Sequence, residues 1–163
     1  MSDYLLRPLA KSDRLFLSAM LYHALYVPPD GLPFPPQIIC EPEIYRYVAN
    51  WGKPHDSGFV AVDIVNEQPF GAVWMRLFPA AEKGYGYVSD DIPELSIALL
   101  SGYRNQGIGT ALLNCLLEEA RQHYAALSLS VSADNPALRL YQRLGFEVID
   151  QNSNSLTMIK RFR

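Results

Sequence analysis

The strongest periodic pattern in the sequence lies between Gly107 and His123. Apolar residues recur there every three or four positions, while Glu118, Arg121 and Gln122 occupy the opposite side. A stripe of this width is typical of an amphipathic helix that buries one face and leaves the other in water. The stripe consists of Ile108, Leu112, Leu113, Leu116, Leu117 and Ala120.

Helical patterns also occur near the two ends of the chain. Ser12 and Asp13 can cap a first helix of about 14 residues. Near the other end, the pattern predicts a helix over Pro136–Leu144, which Gly145 would close in the left-handed conformation. The apolar side predicted for the first helix is Leu15, Ala19, Tyr22 and Tyr26.

A proline-rich segment, residues 27–40, follows the first helix. Its five prolines exclude regular structure and predict a stiff, extended loop. Pro42 then suits a first helical turn and Gly52 suits a helix end, so the residues between them are predicted to form a second short helix.

Segments rich in β-branched and aromatic residues predict the strands. The second and third of these are separated by Asn66, Glu67 and Gln68 and fit an antiparallel hairpin. The predicted strands cover residues 3–8, 58–65, 69–78, 94–100, 126–131, 146–149 and 155–162. The order of elements predicts an α+β (mixed α/β) fold for residues 1–163, with a sheet of six or seven strands and about four helices in one domain.

Composition narrows the functional classes. With 163 residues, 49% of them apolar, the chain can bury one ordinary core. A net charge of -3 argues against a nucleic-acid binder, which would show clustered Lys and Arg. Cys40 and Cys115 match no zinc or redox spacing, so no metal site is predicted. The N-terminus lacks the pattern of a signal peptide and no apolar run could span a bilayer, so we expect a cytoplasmic protein without membrane contact.

The segment between the fourth strand and the long helix has the features of an anion site. Main-chain N–H groups at a helix start lack intrahelical partners, and Gly107 and Gly109 would let a diphosphate approach them closely. The glycines could also serve only to make a tight turn. The segment matches neither a Walker loop nor the three-glycine dinucleotide fingerprint. Its residues are Arg104, Asn105, Gln106, Gly107, Ile108, Gly109 and Thr110.

The sequence RNQGIG resembles the phosphate-binding motif of the GNAT superfamily of acetyl-CoA dependent N-acetyltransferases. ELSIALLSGY before it is similar to the fourth strand of that family, and DNPALRLYQRLGFEVI after it is similar to the fourth helix and sixth strand. The resemblance covers about the last 70 residues. It implies a mostly antiparallel sheet splayed between strands 4 and 5, with acetyl-CoA as cosubstrate and its pantetheine arm in the gap.

The resemblance also implies roles for individual residues. The main chain of Ile97, Ala98 and Leu99 would bind pantetheine, while Arg104 and the amides from Gln106 to Thr110 would hold the pyrophosphate. Asn135 resembles a cofactor-contacting asparagine of the family but is one position late, and it is equally well placed as an N-cap.

Two residues are candidates for proton transfer. Tyr141 matches the recurrent tyrosine of the family that protonates the leaving thiolate, although it could also only pack on the core. Glu94 lies where relatives place a carboxylate that takes the proton of the amine, directly or through water. It shares a strand face with Ser96 and Ala98, and its alternative is a solvated strand-end carboxylate. Neighbouring Asp90 and Asp91 are expected to raise its pKa and to attract a cationic acceptor.

The predicted activity is therefore acetyl transfer from acetyl-CoA to a primary amine by direct attack in a ternary complex. The acceptor is a small-molecule amine or a protein amine, which the sequence does not distinguish, and a homodimer is left open. The main alternative is a non-catalytic acyl-CoA binding or regulatory module. A structural or interaction domain, in which all glycines are turns, is a further alternative that acetyl-CoA binding would exclude.

Overall fold

A seven-stranded sheet forms the centre of the protein in the computed structural model, which describes residues 3–162. The strands are β1 Tyr4–Pro8, β2 Ser57–Asp63, β3 Pro69–Arg76, β4 Glu94–Leu99, β5 Ala126–Ser132, β6 Glu147–Asn152 and β7 Ser155–Arg161. The helices are α1 Arg14–Ala24, α2 Pro42–Tyr45, α3 Ile108–His123 and α4 Ala137–Arg143. The predicted fold class is confirmed.

The strand order is β1-β2-β3-β4-β5-β7-β6, and every neighbouring pair is antiparallel except β4 and β5. Those two strands are parallel and share one register position, Glu94 opposite Ser128. Beyond it, β4 continues to pair with β3 as far as Leu99. A gap therefore opens between β4 and β5 in the middle of the sheet.

Two apolar clusters cover the two faces of the sheet. One contains the predicted stripe of α3 and residues of α4, packed on β2, β3, β4, β5 and β7. The other contains α1 and the segment after α2, packed on β3 and β4. The predicted α3 stripe is fully confirmed, because all six of its members are buried. Gly145 has a φ of +98°, as its predicted helix-closing role requires.

The predicted apolar side of α1 is wrong. Leu15 is 88% exposed and Ala19 is also exposed, whereas Leu17, Met20 and Leu21 form the buried side. The helix is apolar on more than one side, so more than one stripe fits its sequence. The face that packs on β3 and β4 is selected by the sheet rather than by the local pattern.

The segment after α1 is more structured than predicted at one point and less helical at another. Residues Pro36–Cys40 of the proline-rich segment form a 3-10 turn. Helix α2 begins at Pro42 as predicted but ends at Tyr45, and turns continue to Trp51. None of the helices in residues 3–162 is long and apolar enough to cross a membrane.

A buried ion pair holds these turns against the sheet. Arg76 at the end of β3 binds Asp56 with an N–O distance of 2.7 Å, and both side chains are 3% exposed. Arg76 also donates a 2.8 Å hydrogen bond to the carbonyl of Arg46, and its guanidinium lies over the ring of Trp51. The residues between α2 and β2 are therefore fixed in place by charge as well as by packing.

Candidate functional site

The turn before α3 leaves open space above its main chain. Gly107 has a φ of +80° and Asn105 a φ of +62°, both in the left-handed region, which glycine and asparagine tolerate best. A Cβ added at Gly107 would meet no atom within 4 Å, and one at Gly109 would meet only the side chains of Leu99 and Ile97 at ordinary contact distances. The turn can therefore accept an anionic group against its N–H groups.

A groove of about 1320 Å³ runs from this turn between the end of β4 and the segment that leads from β5 into α4. One wall is β4 and the turn, and another is α4 with the residues before it. The end of α1 and the proline-rich segment close the third side, where the Tyr26 hydroxyl donates to the carbonyl of Asp134. The predicted cofactor residues that line the groove are Ile97, Ala98, Leu99, Arg104, Asn105, Gly107, Gly109, Thr110, Asn135 and Tyr141.

Two predicted cofactor residues lie outside the groove lining. The side chain of Ile108 is 1% exposed and belongs to the core under the turn. Gln106 is exposed, and its side-chain amide donates a 3.2 Å hydrogen bond to the carbonyl of Gly102. Only the main chain of these two residues remains available to an anion at the turn.

Arg104 and Asn135 have structural contacts of their own. Arg104 donates from Nε to the carbonyl of Leu99 at 3.2 Å, which holds the guanidinium near the end of β4. The side-chain oxygen of Asn135 accepts a 2.9 Å hydrogen bond from the amide of Ala137, in the first turn of α4. Asn135 thus acts as a cap of α4 and lines the groove at the same time.

A second, smaller cavity of about 200 Å³ lies on the α1 and α2 side of the gap. Tyr141 and Asn135 line both cavities, so the two meet at the start and middle of α4. Burial raises the pKa of the Tyr141 hydroxyl to about 12, and its ring packs edge-on against Phe146. The hydroxyl therefore stays protonated at neutral pH and is available as a proton donor.

Glu94 is a wall residue of the second cavity and is not a solvated strand-end carboxylate. It is 3% exposed, and its Oε2 accepts a 2.5 Å hydrogen bond from the hydroxyl of Tyr47. Burial raises the pKa of Glu94 to about 7, while the bond from Tyr47 and the amide of Gly86 oppose this shift. Such a carboxyl can both accept and release a proton near neutral pH.

The predicted influence of Asp90 and Asp91 on Glu94 is wrong. The raised pKa of Glu94 comes from loss of solvation, and neither aspartate contributes to it. Both are held in the connection before β4, where Asp90 accepts a hydrogen bond from Tyr87 and Asp91 accepts one from Ser89. The second cavity therefore has Glu94 as its carboxylate, with neither neighbouring aspartate in its lining.

The sequence analysis missed the residues that enclose Glu94. Gly84 lies against Oε1 so closely that a Cβ there would collide with it, and a Cβ at Gly86 would collide with the main chain of β5. The Ser128 hydroxyl donates a 2.7 Å hydrogen bond to the carbonyl of Gly86, which fixes this connection to β5. The sequence feature that indicates this enclosure is Gly-Tyr-Gly at residues 84–86, in which both glycines allow close packing.

No group of three or more His, Cys, Asp or Glu side chains that could hold a metal ion occurs among residues 3–162. The chemistry available at the meeting point of the cavities comes from a tyrosine hydroxyl, a carboxyl with a raised pKa and main-chain amides. These groups suit acid-base and acyl-transfer chemistry.

Comparison with known proteins identifies the family of this chain. The profile of the Acetyltransferase (GNAT) family matches residues 23–146, more than half of the chain. An N-alpha-acetyltransferase of Sulfurisphaera tokodaii is 32% identical over 115 residues, which are 64% of this chain and 65% of that protein. A mycothiol acetyltransferase of Corynebacterium glutamicum is 37% identical over 75 residues, 42% of this chain and 26% of that protein.

The matched segments therefore span less than two thirds of either relative. Among solved structures, the acetyl-CoA complex of Arabidopsis thaliana NAA60 superimposes with a TM-score of 0.66 and covers 98% of both chains at 20% identity. At this identity the similarity concerns the fold alone.

Proposed function

The chain belongs to the acetyltransferase (GNAT) family, and we propose that it is an N-acetyltransferase that moves the acetyl group of acetyl-CoA to a primary amine within one ternary complex. The observation that carries this proposal is the meeting of two cavities at Tyr141. The large groove would hold the donor and the small cavity the acceptor. We propose that residues 1–163 act together as one catalytic domain.

The donor groove fits acetyl-CoA on two grounds. The turn at Gly107 and Gly109 offers unobstructed N–H groups to the pyrophosphate, and Arg104 is held beside it. Strand β4 has no β5 partner beyond Glu94, so its main chain can bind the pantetheine arm. When bound, acetyl-CoA supplies a thioester carbonyl that an amine can attack.

We assign three roles in the transfer to groups of this chain. Most alkyl amines are ammonium ions at neutral pH, so the nitrogen loses two protons on the way to the amide. The first leaves to solvent before the attack, and Glu94 receives the second, which leaves as the neutral amine attacks. Main-chain N–H groups of β4 around Leu99 stabilise the negative charge that develops on the carbonyl oxygen. The Tyr141 hydroxyl donates its proton to the departing sulfur.

The acceptor cavity indicates a compact amine. Its volume of about 200 Å³ is small, and hydroxyl groups of Ser96, Ser130 and Ser132 line it together with one carboxyl. The name of the Sulfurisphaera relative makes the α-amine of a peptide the first acceptor class to test, and small-molecule amines the second. The cytoplasmic location and the homodimer remain predictions.

The test compares two glycine variants. Gly107→Val is unsuitable because its left-handed φ would strain any side chain there. Gly109→Val avoids this and adds methyl groups between the turn and β4. We expect its acetyl-CoA affinity to fall by more than about tenfold, roughly 1.4 kcal/mol. Gly102→Ala is the matched control, since its Cβ would meet nothing within 4 Å.

Binding is measured by calorimetry, and turnover by thiol release with peptide and small-molecule amines. Unchanged acetyl-CoA affinity in a folded Gly109→Val protein would contradict the donor site. Tight acetyl-CoA binding without transfer to any amine class would favour the non-catalytic binding module instead.

A further inference from the structure

The position of Glu94 raises a question about how the proton of the acceptor reaches it. Its Oε1 is buried against the main chain of Gly84 and accepts no hydrogen bond of normal geometry among the described residues, although the amide of Gly86 is near enough to lower the pKa of Glu94. Its Oε2 already accepts the hydrogen bond from Tyr47. The residue lines the second cavity but is only 3% exposed, so an amine there has little access to either oxygen.

The hydroxyl of Tyr47 contacts this carboxylate and belongs to a residue that lines the same cavity. It donates to Glu94 Oε2 at 2.5 Å and accepts from the amide of Tyr85 at 2.7 Å. A phenol has one proton and two lone pairs, so one lone pair of Tyr47 has no partner in these contacts. Tyr47 lines the acceptor cavity beside Glu94.

The ring of Tyr47 is held firmly in this position. Its main-chain carbonyl accepts a 3.0 Å hydrogen bond from the indole of Trp74, and the ring of Phe78 packs edge-on at 5.0 Å between centroids. Tyr85 stacks on its other side at 6.4 Å. The hydroxyl is therefore held in hydrogen-bond contact with the carboxylate, in a geometry suited to proton transfer.

We propose that Tyr47 is a catalytic proton relay, through which the acceptor amine passes its proton to Glu94. This inference rests on the proposed function, in which Glu94 is the final proton acceptor. As the amine attacks, its N–H bond breaks and the proton joins the free lone pair of the Tyr47 oxygen. In the same step the original hydroxyl proton moves to Glu94 Oε2, so Tyr47 remains neutral throughout.

The ionisation of the two partners agrees with this route. Burial and the charge of Glu94 raise the pKa of Tyr47 far above its ordinary value, so a tyrosinate does not accumulate. Glu94, with a pKa of about 7, accepts a proton during turnover and can return it through Tyr47 after the product leaves. Tyr85, which stacks on Tyr47, also has a raised pKa, mainly through burial.

The experiment is a cycle of Tyr47→Phe, Glu94→Gln and the double variant, with turnover measured from about pH 6 to about pH 9. Because the two residues act as one path, we expect each single variant to lose about 100- to 10,000-fold in turnover, and the double variant to lose no more than either. Tyr124→Phe is the control, since Tyr124 packs against the cluster on the opposite face.

The pH profile distinguishes a relay from a residue that only tunes Glu94. Loss of the Tyr47 hydrogen bond would raise the pKa of Glu94. If Tyr47 only adjusts this pKa, the turnover of Tyr47→Phe would rise at a higher pH than in wild type and would reach the wild-type value at high pH. The relay predicts that the loss persists there, because the attacking nitrogen must still shed a proton. Recovery at high pH, or additive effects in the double variant, would overturn the relay.

The same cycle separates this inference from the proposed function. Wild-type transfer that depends on Glu94 but not on Tyr47 would overturn the relay and leave the proposed function intact. Transfer that depends on neither residue would overturn the relay and the base role of Glu94 together. A wild-type protein that acetylates no amine would overturn the proposed function itself, and the relay with it.

Discussion

The donor groove and the acceptor cavity share α4 and β4 but are built by different means. Most of the lining of the proposed donor groove comes from one stretch of sequence, from Ile97 to Arg143, and the end of α1 with the proline-rich segment completes it. The proposed contacts with acetyl-CoA use glycines and a helix start in that stretch. The acceptor side depends on side chains that are far apart in sequence, such as Tyr47 and Glu94. Main-chain sites leave a local sequence signature, whereas sites built from distant side chains do not.

The two sides also differ in how they carry charge. Arg104 and the turn at Gly107 are exposed, so solvent screens their charge. On the acceptor side, Glu94 and the Arg76–Asp56 pair are almost completely buried. We therefore expect variants on the acceptor side to change pH dependence and stability, and variants on the donor side to change acetyl-CoA affinity.

The largest effect is expected for Glu94→Gln. The amide keeps the shape of the carboxyl but does not accept the proton, so turnover should fall by about 100- to 10,000-fold while acetyl-CoA affinity stays unchanged. In the wild-type protein, turnover should rise with pH through about 7, where Glu94 ionises. A Glu94→Gln protein with wild-type turnover at all pH values would contradict the assignment of pH dependence to the acceptor side.

The same variant also tests stability. The folded-state pKa of Glu94 lies above its value in the unfolded chain, so the stability provided by the neutral carboxyl is full at low pH and is lost as pH rises through about 7. Glutamine stays neutral. The melting temperature of Glu94→Gln relative to wild type should therefore rise between about pH 5 and about pH 8. The wild-type protein loses about 1.4 kcal/mol of unfolding free energy over this range for each tenfold difference in the proton affinity of Glu94 between the folded and unfolded chain. A difference in melting temperature that stays constant with pH would contradict the burial of the Glu94 carboxylate.

An intermediate effect is expected for Tyr141→Phe, which lies where the two sides meet. Removing the hydroxyl takes away the proton donor to the departing sulfur but keeps the ring against Phe146. Because a thiolate is already a fair leaving group, we expect a turnover loss near the low end, about 100-fold, with little change in acetyl-CoA affinity. Full activity would mean that Tyr141 only packs, and single-turnover measurements with saturating acetyl-CoA decide this.

The smallest effect is expected for Asn135→Ala on the donor side. The variant loses the hydrogen bond to the amide of Ala137, so the free energy of unfolding should fall by about 1 kcal/mol. Asn135→Ser keeps a capping oxygen and serves as the matched control. If acetyl-CoA affinity falls in both variants while stability falls only in the alanine variant, Asn135 also contacts the cofactor.

Local patterns in the sequence predicted a large part of the fold and of the donor side. The α3 stripe and Gly145 were predicted correctly because helix period and a positive φ are encoded by a few neighbouring residues. The hairpin of β2 and β3 was predicted correctly for the same reason. The donor residues follow from the glycines at the start of α3, although their contacts with acetyl-CoA stay a prediction.

Features that depend on contacts between distant residues were predicted wrongly or missed. Leu15 was predicted to lie on the apolar side of α1, but α1 is apolar on more than one side, and packing on the sheet buries Leu17 instead. Tyr47 is 47 residues from Glu94, and no periodicity links them. The pKa of Glu94 was expected to rise through Asp90, a sequence neighbour, but burial in the assembled structure causes the shift.

The single register position that joins β4 to β5 has a further consequence, for the order in which the chain folds. Strands β1 to β4 and strands β5 to β7 each form their own antiparallel ladders, so each half can gain its hydrogen bonds before the halves meet. Pairing β4 with β5 closes the loop that contains α3 and adds few hydrogen bonds. We therefore expect the two halves of the sheet to join late in folding. We therefore expect amides beside this seam to exchange with solvent before those of β3, and acetyl-CoA to protect them by bridging the two halves.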